Sequence, residues 1–287
     1  MKNQRIIIIG ADFKWEEEQL LEQAKCKNKN SEFILLDDLE VEIGTQTKFL
    51  KNKKDIFDSF LGDELFIIRR SRGNFEKLIS LVEILQKRGF IFTDSFRSIS
   101  TNLNKEIFMA TIESTILPHP PKSFFIEPKK NICRNLQFPV VSKPVLGRHG
   151  QDVIIHKNQD SLQKTINNSN KILIVQNFLK IESEFRVFVI GKKSLGIIKK
   201  IPQKGSNIAN YAQGAQFIKS DIPEKFIKES VKLCQTQKID IGGVDIARTE
   251  DDKYFLLEIN RCPEFKAFSK ATNINVSSEI IKFVQQK

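Results

Sequence analysis

The chain has 287 residues, of which 40% are hydrophobic and 28% are charged, the composition of a globular protein large enough for two or three packed units. Its 46 Lys and Arg against 35 Asp and Glu give a net charge of +11, which favours an anionic partner but is equally well explained by a solvated basic surface. No run approaches the ~20 apolar residues of a membrane span, and the four cysteines form no CxxC pair, so we expect a cytoplasmic protein without zinc or disulfides.

The first 100 residues alternate apolar runs with amphipathic stretches. The run at 6–9 is continuously apolar, as in a strand covered on both faces, and residues 75–87 place their leucines on one helical face. The predicted strands are 6–9, 33–36, 65–68 and 90–93, and the predicted helices are 15–27 and 75–87. This βαβ rhythm predicts a small parallel-sheet domain over 1–100, and the lack of a GxGxxG motif argues against a dinucleotide site.

The remainder of the chain changes from an α/β to an α+β pattern. The predicted elements are helices at 104–113, 223–238 and 277–284, an extended segment at 122–126, strands at 138–144 and 172–179, and hairpins at 184–200 and 243–260. We expect a central unit over 101–178 and a C-terminal unit over 179–287.

The hairpin at 243–260 brings two carboxylates together. If its strands pair symmetrically about the turn, Asp245 lies directly opposite Glu258. Asn260 points to the same face as Glu258 because side chains alternate along a strand. The opposite face is apolar and consists of Val244, Ile246, Phe255, Leu257 and Ile259. Opposed carboxylates repel, and Mg²⁺ prefers oxygen ligands, so we predict a magnesium site here, with a solvated hairpin face as the alternative.

The hairpin at 184–200 is rich in cations. A symmetric turn places Arg186 opposite Lys199, with Glu184 on the same face as Arg186. Opposed cations favour a bridging anion such as a phosphoryl group. The alternative is that Glu184 simply pairs with Arg186.

A glycine-containing loop follows a predicted strand that ends near Lys143. Gly147 and Gly150 flank Arg148. The backbone N–H groups of such a turn are able to hold phosphate, and the two cations add charge, although many surface turns share this pattern.

The order of these segments resembles the ATP-grasp superfamily, most closely the RimK-type amino-acid ligases. The matching features, in chain order, are Lys143 with its glycine loop, VQNFL, EFRVFV, Lys199-Lys200, Asp245 and the Glu258-x-Asn260 pair. The similarity covers about 100–287 and implies an ATP-grasp fold that uses ATP and Mg²⁺, with Mn²⁺ as an alternative metal.

The resemblance also implies individual roles. The nucleotide-binding residues would be Lys105, Lys143, Gly147, Arg148, Gln176, Asn177, Phe178, Leu179 and Glu184. The residues near the transferred phosphoryl group would be Arg186, Lys199 and Asn210. The metal ligands would be Asp245, Glu258 and Asn260. The chain departs from RimK-type enzymes at Ile208, where they carry arginine, and at 261–265, which is closer to LysX-like ligases and bears on the substrate.

The activity implied by the resemblance is ATP-dependent carboxylate–amine ligation through an acyl phosphate, with release of ADP and phosphate. The partners would be an amino acid and a carboxylate on a protein, an acidic carrier protein, a peptide or a cofactor, and a homo-oligomer is compatible with the sequence. One alternative is an ATP-grasp protein that binds nucleotide without ligase activity. Another is a basic nucleic-acid-binding protein, which is less favoured because no nucleic-acid-binding motif is present.

Overall fold

The computed structural model describes residues 4–71, 73–102, 105–121, 123–132, 135–145, 153–201 and 216–287. The strands in these residues are β1 Ile6–Gly10, β2 Glu32–Leu35, β3 Glu40–Glu42, β4 Lys48–Lys51, β5 Lys54–Asp55, β6 Leu65–Ile68, β7 Ile91–Phe92, β8 Phe124–Ile126, β9 Val140–Pro144, β10 Ile154–His156, β11 Leu173–Asn177, β12 Ile181–Ile190, β13 Lys193–Ile201, β14 Gln216–Ser220, β15 Ile241–Thr249 and β16 Tyr254–Asn260. The α-helices are α1 Trp15–Lys27, α2 Phe75–Lys87, α3 Phe96–Asn102, α4 Lys105–Ala110, α5 Gln159–Asn168, α6 Glu224–Thr236, α7 Lys266–Thr272 and α8 Val276–Val284. None of the helices in the described ranges has the length and apolar character needed to cross a membrane.

The N-terminal sheet is parallel, with strand order β2-β1-β6-β7. The isoleucines of β1 are buried on both faces: Ile6 and Ile8 belong to one hydrophobic core, and Ile7 and Ile9 belong to another. This two-sided burial explains the continuous apolar run in the sequence. The predicted parallel α/β arrangement is confirmed, and the predicted helices 15–27 and 75–87 coincide with α1 and α2.

A small antiparallel sheet of order β3-β4-β5 lies between β2 and β6 in the chain and was absent from the sequence prediction. Its strands are two to four residues long, and β3 is exposed along its whole length. Strands of this kind carry too little apolar alternation to be recognised from the sequence. The prediction also lacked helices α3, α5 and α7 and strands β10 and β14.

The central sheet is antiparallel with strand order β10-β9-β11-β8. Helix α5 covers one face of it, and Leu162 and Ile166 of this helix are fully buried against Val140 and Val175. In the register of β9 and β11, Lys143 pairs with Ile174. This pairing places the lysine near the end of β9.

The C-terminal sheet is antiparallel with strand order β14-β13-β12-β15-β16. One of its faces packs on α6 through Phe185 and Val187. On the other face, Phe188 and Ile190 pack in the same core as Ile6 and Ile8 of β1. The N-terminal and C-terminal parts therefore share a core, and the boundary at residue 100 stays a prediction.

Candidate functional site

The site is built on the hairpin of β15 and β16. Asp245 pairs with Glu258, and Gly243 pairs with Asn260, in the register that the sequence predicts. Cross-strand partners share a face of the sheet, and side chains alternate along each strand. Asp245, Glu258 and Asn260 therefore belong to one face.

The predicted apolar face of this hairpin is wrong at Leu257 and at Phe255, which pairs with Ala247 on the face of Asp245. The register shifts after Asp245, so that Ile246 pairs with Leu256 and Leu257 has no partner in the ladder. This is a β-bulge, in which one extra residue reverses the alternation on one side. Leu256, rather than Leu257, is therefore fully buried against α6, and Leu257 lines a cavity beside Glu258.

Arg186 of β12 holds the carboxylate of Asp245. The two residues are cross-strand partners, and Nε and Nη2 of the arginine donate to Oδ1 and Oδ2 of Asp245 at 2.6 and 2.7 Å. Gly243 makes room for this contact, because a Cβ there would lie 2.9 Å from Cβ of Pro263 and 3.3 Å from Cδ of Arg186. The bidentate geometry fixes the orientation of both side chains.

The predicted pairing of Arg186 with Lys199 is wrong. Phe188 pairs with Gly196 but Val189 pairs with Ser194, so a bulge at Leu195 moves the register by one residue. Lys199 consequently pairs with Phe185 on the face that packs against α6, and Lys200 pairs with Glu184 on the polar face. A single extra residue exchanges the faces of two adjacent lysines.

Lys200 completes a network of alternating charge. Its buried ammonium donates to Oδ2 of Asp245 at 2.8 Å and also forms an ion pair with Glu184. Burial acts to raise the pKa of Asp245, but the charges of Arg186 and Lys200 outweigh it and hold the pKa at about 2. Burial also acts to lower the pKa of Arg186, and Asp245 outweighs it, so the net direction is upward. Asp245 is thus an anion that two cations already compensate.

A cavity of about 110 Å³ is lined by Glu258, the cross-strand partner of Asp245. Lys143 of β9 lines it on one side, and Glu258 and Asn260 of β16 line it on another. His119 also lines the cavity, and burial lowers its pKa, with a further contribution from the charge of Lys143. The cavity therefore combines a lysine, a carboxylate and an amide with a histidine that is neutral at pH 7.

The donor atoms around the cavity fit Mg²⁺. Glu258 and Asn260 supply carboxylate and amide oxygens of the type that this ion prefers. Asp245 accepts two hydrogen bonds at Oδ2 and one at Oδ1, so Oδ1 keeps a lone pair for a metal. Within the described part of the chain, no cluster of three His, Cys, Asp or Glu side chains has metal-binding geometry. The ligand set would therefore need asparagine and phosphate or water oxygens.

The sequence matches the family described as RimK-like ATP-grasp domain over residues 94–284. The chain belongs to this family. Among curated relatives, a protein of Legionella pneumophila (strain Corby) named "Probable alpha-L-glutamate ligase" is 30% identical over 154 residues, which are 52% of this chain and 51% of the relative. A protein of the same name from Histophilus somni (strain 2336) is 25% identical over 157 residues, 53% of this chain and 52% of that one. The chain thus matches about half the length of these relatives.

Solved structures show the ATP-grasp fold for nearly the whole chain. The ATP-grasp ligase PsnB in complex with a minimal precursor has a TM-score of 0.74 and 16% identity, over 99% of this chain and 100% of PsnB. PsnB with minimal precursor, Mg and ADP has a TM-score of 0.72 and 16% identity, over 100% of this chain and 98% of that one. The macrocyclase MdnC of Microcystis aeruginosa MRC, bound to precursor peptide MdnA, has a TM-score of 0.71 and 14% identity, over 99% and 100%.

The predicted nucleotide-binding residues Gln176 to Leu179 begin in β11. The side chain of Gln176 donates to Oγ of Ser123 at 2.8 Å. The N–H groups of Asn177 and Phe178 donate to the carbonyls of Pro121 and Pro139 at 3.4 and 3.1 Å. These internal bonds fix the path of the chain through Leu179, whose carbonyl accepts from the N–H of Ile181.

The structure does not test the roles of four predicted site residues. Lys105 is the first residue of α4. Gly147, Arg148 and Asn210 lie outside the described residues. Their roles stay predictions.

Sequence reasoning missed two residues that the structure connects to this site. Lys200 was passed over because a symmetric turn was assumed. Arg261 was noted only within the departure at 261–265 that bears on the substrate, and its guanidinium bonds to carbonyls at the end of β6. The glycine at 196 was a usable signal for the bulge, since its φ of 149° is one that L side chains rarely adopt.

Proposed function

We propose that the protein is an ATP-dependent carboxylate–amine ligase that forms an amide bond through an acyl phosphate. The observation that carries this proposal is the convergence of Lys143, Glu258 and Asn260 on one cavity, beside the cations that hold Asp245. A lysine facing oxygen donors suits a metal–triphosphate group, and a cation at the edge suits the oxyanion that forms during transfer.

The nucleotide side of the reaction uses the cavity. The ammonium of Lys143 would contact phosphate oxygens as a point charge. Glu258 and Asn260, with Oδ1 of Asp245, would hold Mg²⁺, or Mn²⁺ as the alternative. Bound magnesium neutralises charge on the phosphate oxygens during transfer. The network of Arg186 and Lys200 keeps Asp245 ionised, so that this ligand needs no deprotonation before the metal binds.

The acyl side of the reaction uses Arg186. Its bonds to Asp245 engage Nε and Nη2, and Nη1 has no bond within the described residues. Nη1 is therefore the donor best suited to an anion. Lys200 is more deeply buried than Arg186, with 6% against 18% of the side chain exposed, and so acts through Asp245 and Glu184 rather than on the substrate.

The proposed reaction has two steps and forms no covalent enzyme intermediate. A carboxylate oxygen of the acceptor attacks the γ-phosphorus of ATP, the bond from that phosphorus to the bridging oxygen breaks, and ADP leaves. The amine nitrogen then attacks the acyl carbon, the bond from that carbon to the phosphate oxygen breaks, and the amine proton passes to solvent. The side chains position and stabilise charge throughout.

For the substrates, we propose an amino acid as the amine and a peptide or protein as the carboxylate. The relatives are named as alpha-L-glutamate ligases, and the structural neighbours PsnB and MdnC bind precursor peptides. The net charge of +11 favours an acidic acceptor. A reducing cytoplasm is the proposed location, because the four cysteines of the sequence form no CxxC pair.

Phosphate release tests the proposal. Purified protein is supplied with ATP, Mg²⁺, the twenty amino acids and a panel of acidic peptides, and products are identified by mass. We expect ADP rather than AMP, an added amino-acid mass, and a hydroxamate when hydroxylamine replaces the amine.

The matched variants are Asp245→Ala and Asp251→Ala. Asp251 lies in the exposed turn of the same hairpin and pairs with Lys253. Loss of one charge-stabilising group at the site should lower turnover by about 100-fold or more, whereas Asp251→Ala should leave it unchanged. Equal turnover in both variants refutes the proposed site, and nucleotide binding without phosphate release across the panel refutes the ligase activity.

A further inference from the structure

The open end of the β15–β16 hairpin is bonded to the N-terminal sheet at the ion pair Asp94–Arg261. Arg261 directly follows Asn260 of β16, and Asp94 follows β7. The pair is buried, with 7% of the Arg261 side chain and 2% of the Asp94 side chain exposed, and the distance from Nη1 to Oδ2 is 3.1 Å.

Arg261 connects the end of β16 to the end of β6. Its Nη1 donates to the carbonyl of Ile68 at 2.9 Å, and its Nη2 donates to the carbonyl of Arg69 at 2.8 Å. With Asp94, one guanidinium thus reaches three acceptors at the carboxyl edge of the parallel sheet. A planar guanidinium suits this arrangement because its donors are fixed relative to one another.

Asp94 connects the start of β15 to the same edge. Its Oδ1 accepts the N–H of Asp240 at 2.7 Å and that of Ile241 at 3.4 Å. In return, the N–H of Asp94 donates to Oδ2 of Asp240 at 2.5 Å. The two ends of the hairpin therefore meet at one buried pair.

The loop after Arg261 has further bonds to the N-terminal part. Oε1 of Glu16 accepts the N–H groups of Phe265 and Lys266 at 3.3 and 3.2 Å. Arg70 pairs with Glu264 at 2.9 Å. These contacts leave the chain after Asn260 little freedom to move relative to the parallel sheet.

We propose that Asp94 and Arg261 are positioning residues, which together hold the hairpin of Asp245, Glu258 and Asn260 at a fixed place relative to the N-terminal sheet. This inference rests on the proposed magnesium site. A buried ion pair is a weak source of stability, because apolar residues of similar volume often do as well. Its directional bonds are instead suited to fixing geometry, and groups behind metal ligands typically change metal affinity by about 10- to 100-fold when they are removed.

The test compares Arg261→Met, Arg261→Lys and Asp94→Asn with wild type. Binding of a non-hydrolysable ATP analogue is measured against Mg²⁺ concentration, and amide hydrogen exchange is measured at 240–241 and 258–261. We expect Arg261→Met to raise the half-saturating Mg²⁺ concentration by about tenfold or more and to speed exchange at both segments. Arg261→Lys should not restore either property, because an ammonium lacks the three-acceptor geometry.

Two controls separate positioning from general destabilisation. Val82→Ala in α2 removes buried volume from the N-terminal core and should lower the melting temperature without changing the Mg²⁺ dependence. Arg248→Met removes an exposed pair with Glu182 and should change neither. Asp94→Asn serves if Arg261→Met does not fold, because it keeps the shape of the side chain and one acceptor oxygen. It should still raise the half-saturating Mg²⁺ concentration by about threefold to tenfold, at or below the lower end of the range for removed groups.

The proposal is overturned if the folded variants of Arg261 and Asp94 bind Mg²⁺ and nucleotide as wild type does. It is also overturned if their hydrogen exchange at 240–241 and 258–261 is unchanged. If wild type itself shows no Mg²⁺-dependent nucleotide binding, the proposed function fails. Hydrogen exchange in the same variants then still decides whether the ion pair holds the hairpin.

Discussion

Replacing Lys200 with methionine tests the observed register of β12 and β13 directly. Lys200 is 6% exposed and contacts two carboxylates, whereas its neighbour Lys199 lies on the opposite face beside Phe185. The two adjacent lysines therefore form a matched pair, with the same chemistry and different faces. We expect Lys200→Met to destabilise the protein and Lys199→Met to have little effect.

The magnitude follows from Asp245. A carboxyl group whose pKa falls from 3.8 to about 2 on folding contributes about 2.5 kcal/mol of stability at neutral pH. Arg186 retains its bidentate contact in the variant, so only part of this contribution is lost. Glu184 also loses its buried partner. We expect the free energy of unfolding to fall by about 2 kcal/mol for Lys200→Met and by less than about 0.5 kcal/mol for Lys199→Met.

The assay is chemical denaturation at pH 7, repeated at lower pH. Asp245 has a lowered pKa, so its stabilising contribution is present above pH 3.8 and is lost as the pH falls towards 2. In Lys200→Met the pKa moves back towards 3.8, so the loss of stability with falling pH should be smaller than in wild type and should be complete at a higher pH. A larger effect for Lys199→Met than for Lys200→Met would refute the register argument.

Three further predictions concern Gly243, Asp94 and the cysteines. Gly243→Ala places a Cβ against Pro263 and Arg186 and should cost about 1–3 kcal/mol in denaturation experiments, together with a loss of turnover; unchanged values would contradict the close packing. Burial raises the pKa of Asp94 to about 6, although Arg261 acts against it, so the stability that this group contributes is complete below pH 3.8 and is lost as the pH rises through 6. Wild type should therefore lose up to ~3 kcal/mol relative to Asp94→Asn between pH 4 and 6.5, and parallel stability curves would contradict this. Cys26 is exposed, whereas burial raises the pKa of the Cys234 thiol to about 12, so a thiol reagent at pH 8 should label Cys26 in the native protein and Cys234 only after unfolding; labelling of both at equal rates would be the contrary result.

The fold was largely predictable where local pattern and tertiary packing agree. The run at Ile6–Gly10 is apolar because both faces of β1 are covered, and α2 shows its buried face as a helical repeat. The short exposed strands β3 to β5 have no such pattern and were not predicted. Their existence depends on pairing with each other rather than on their own composition.

The site was predictable to the extent that its hairpins are regular. Next to the turn, Arg248 pairs with Tyr254, which is one residue out of the predicted register, and the bulge in β16 restores the predicted pairing of Asp245 with Glu258. In β13 the bulge at Leu195 also lies between the turn and the site, and there it replaces Lys199 with Lys200. The outcome differs because the assumed centre of the first turn was out by one residue of pairing, which the bulge cancels. In the second hairpin Ile190 pairs with Lys193, two residues from the prediction, and the bulge corrects only one of the two.

By itself, the sequence determined the residue types, their order and the alternation that brings Asp245, Glu258 and Asn260 to one face. These are properties of the chain within one hairpin, where the period of a strand limits the choices. Tertiary structure decided which lysine joins Asp245, that Lys143 faces β16 across a cavity, and that Arg261 bonds to the N-terminal sheet. Those contacts join residues up to 193 positions apart. They depend on bulges and on packing between sheets, and local periodicity encodes neither.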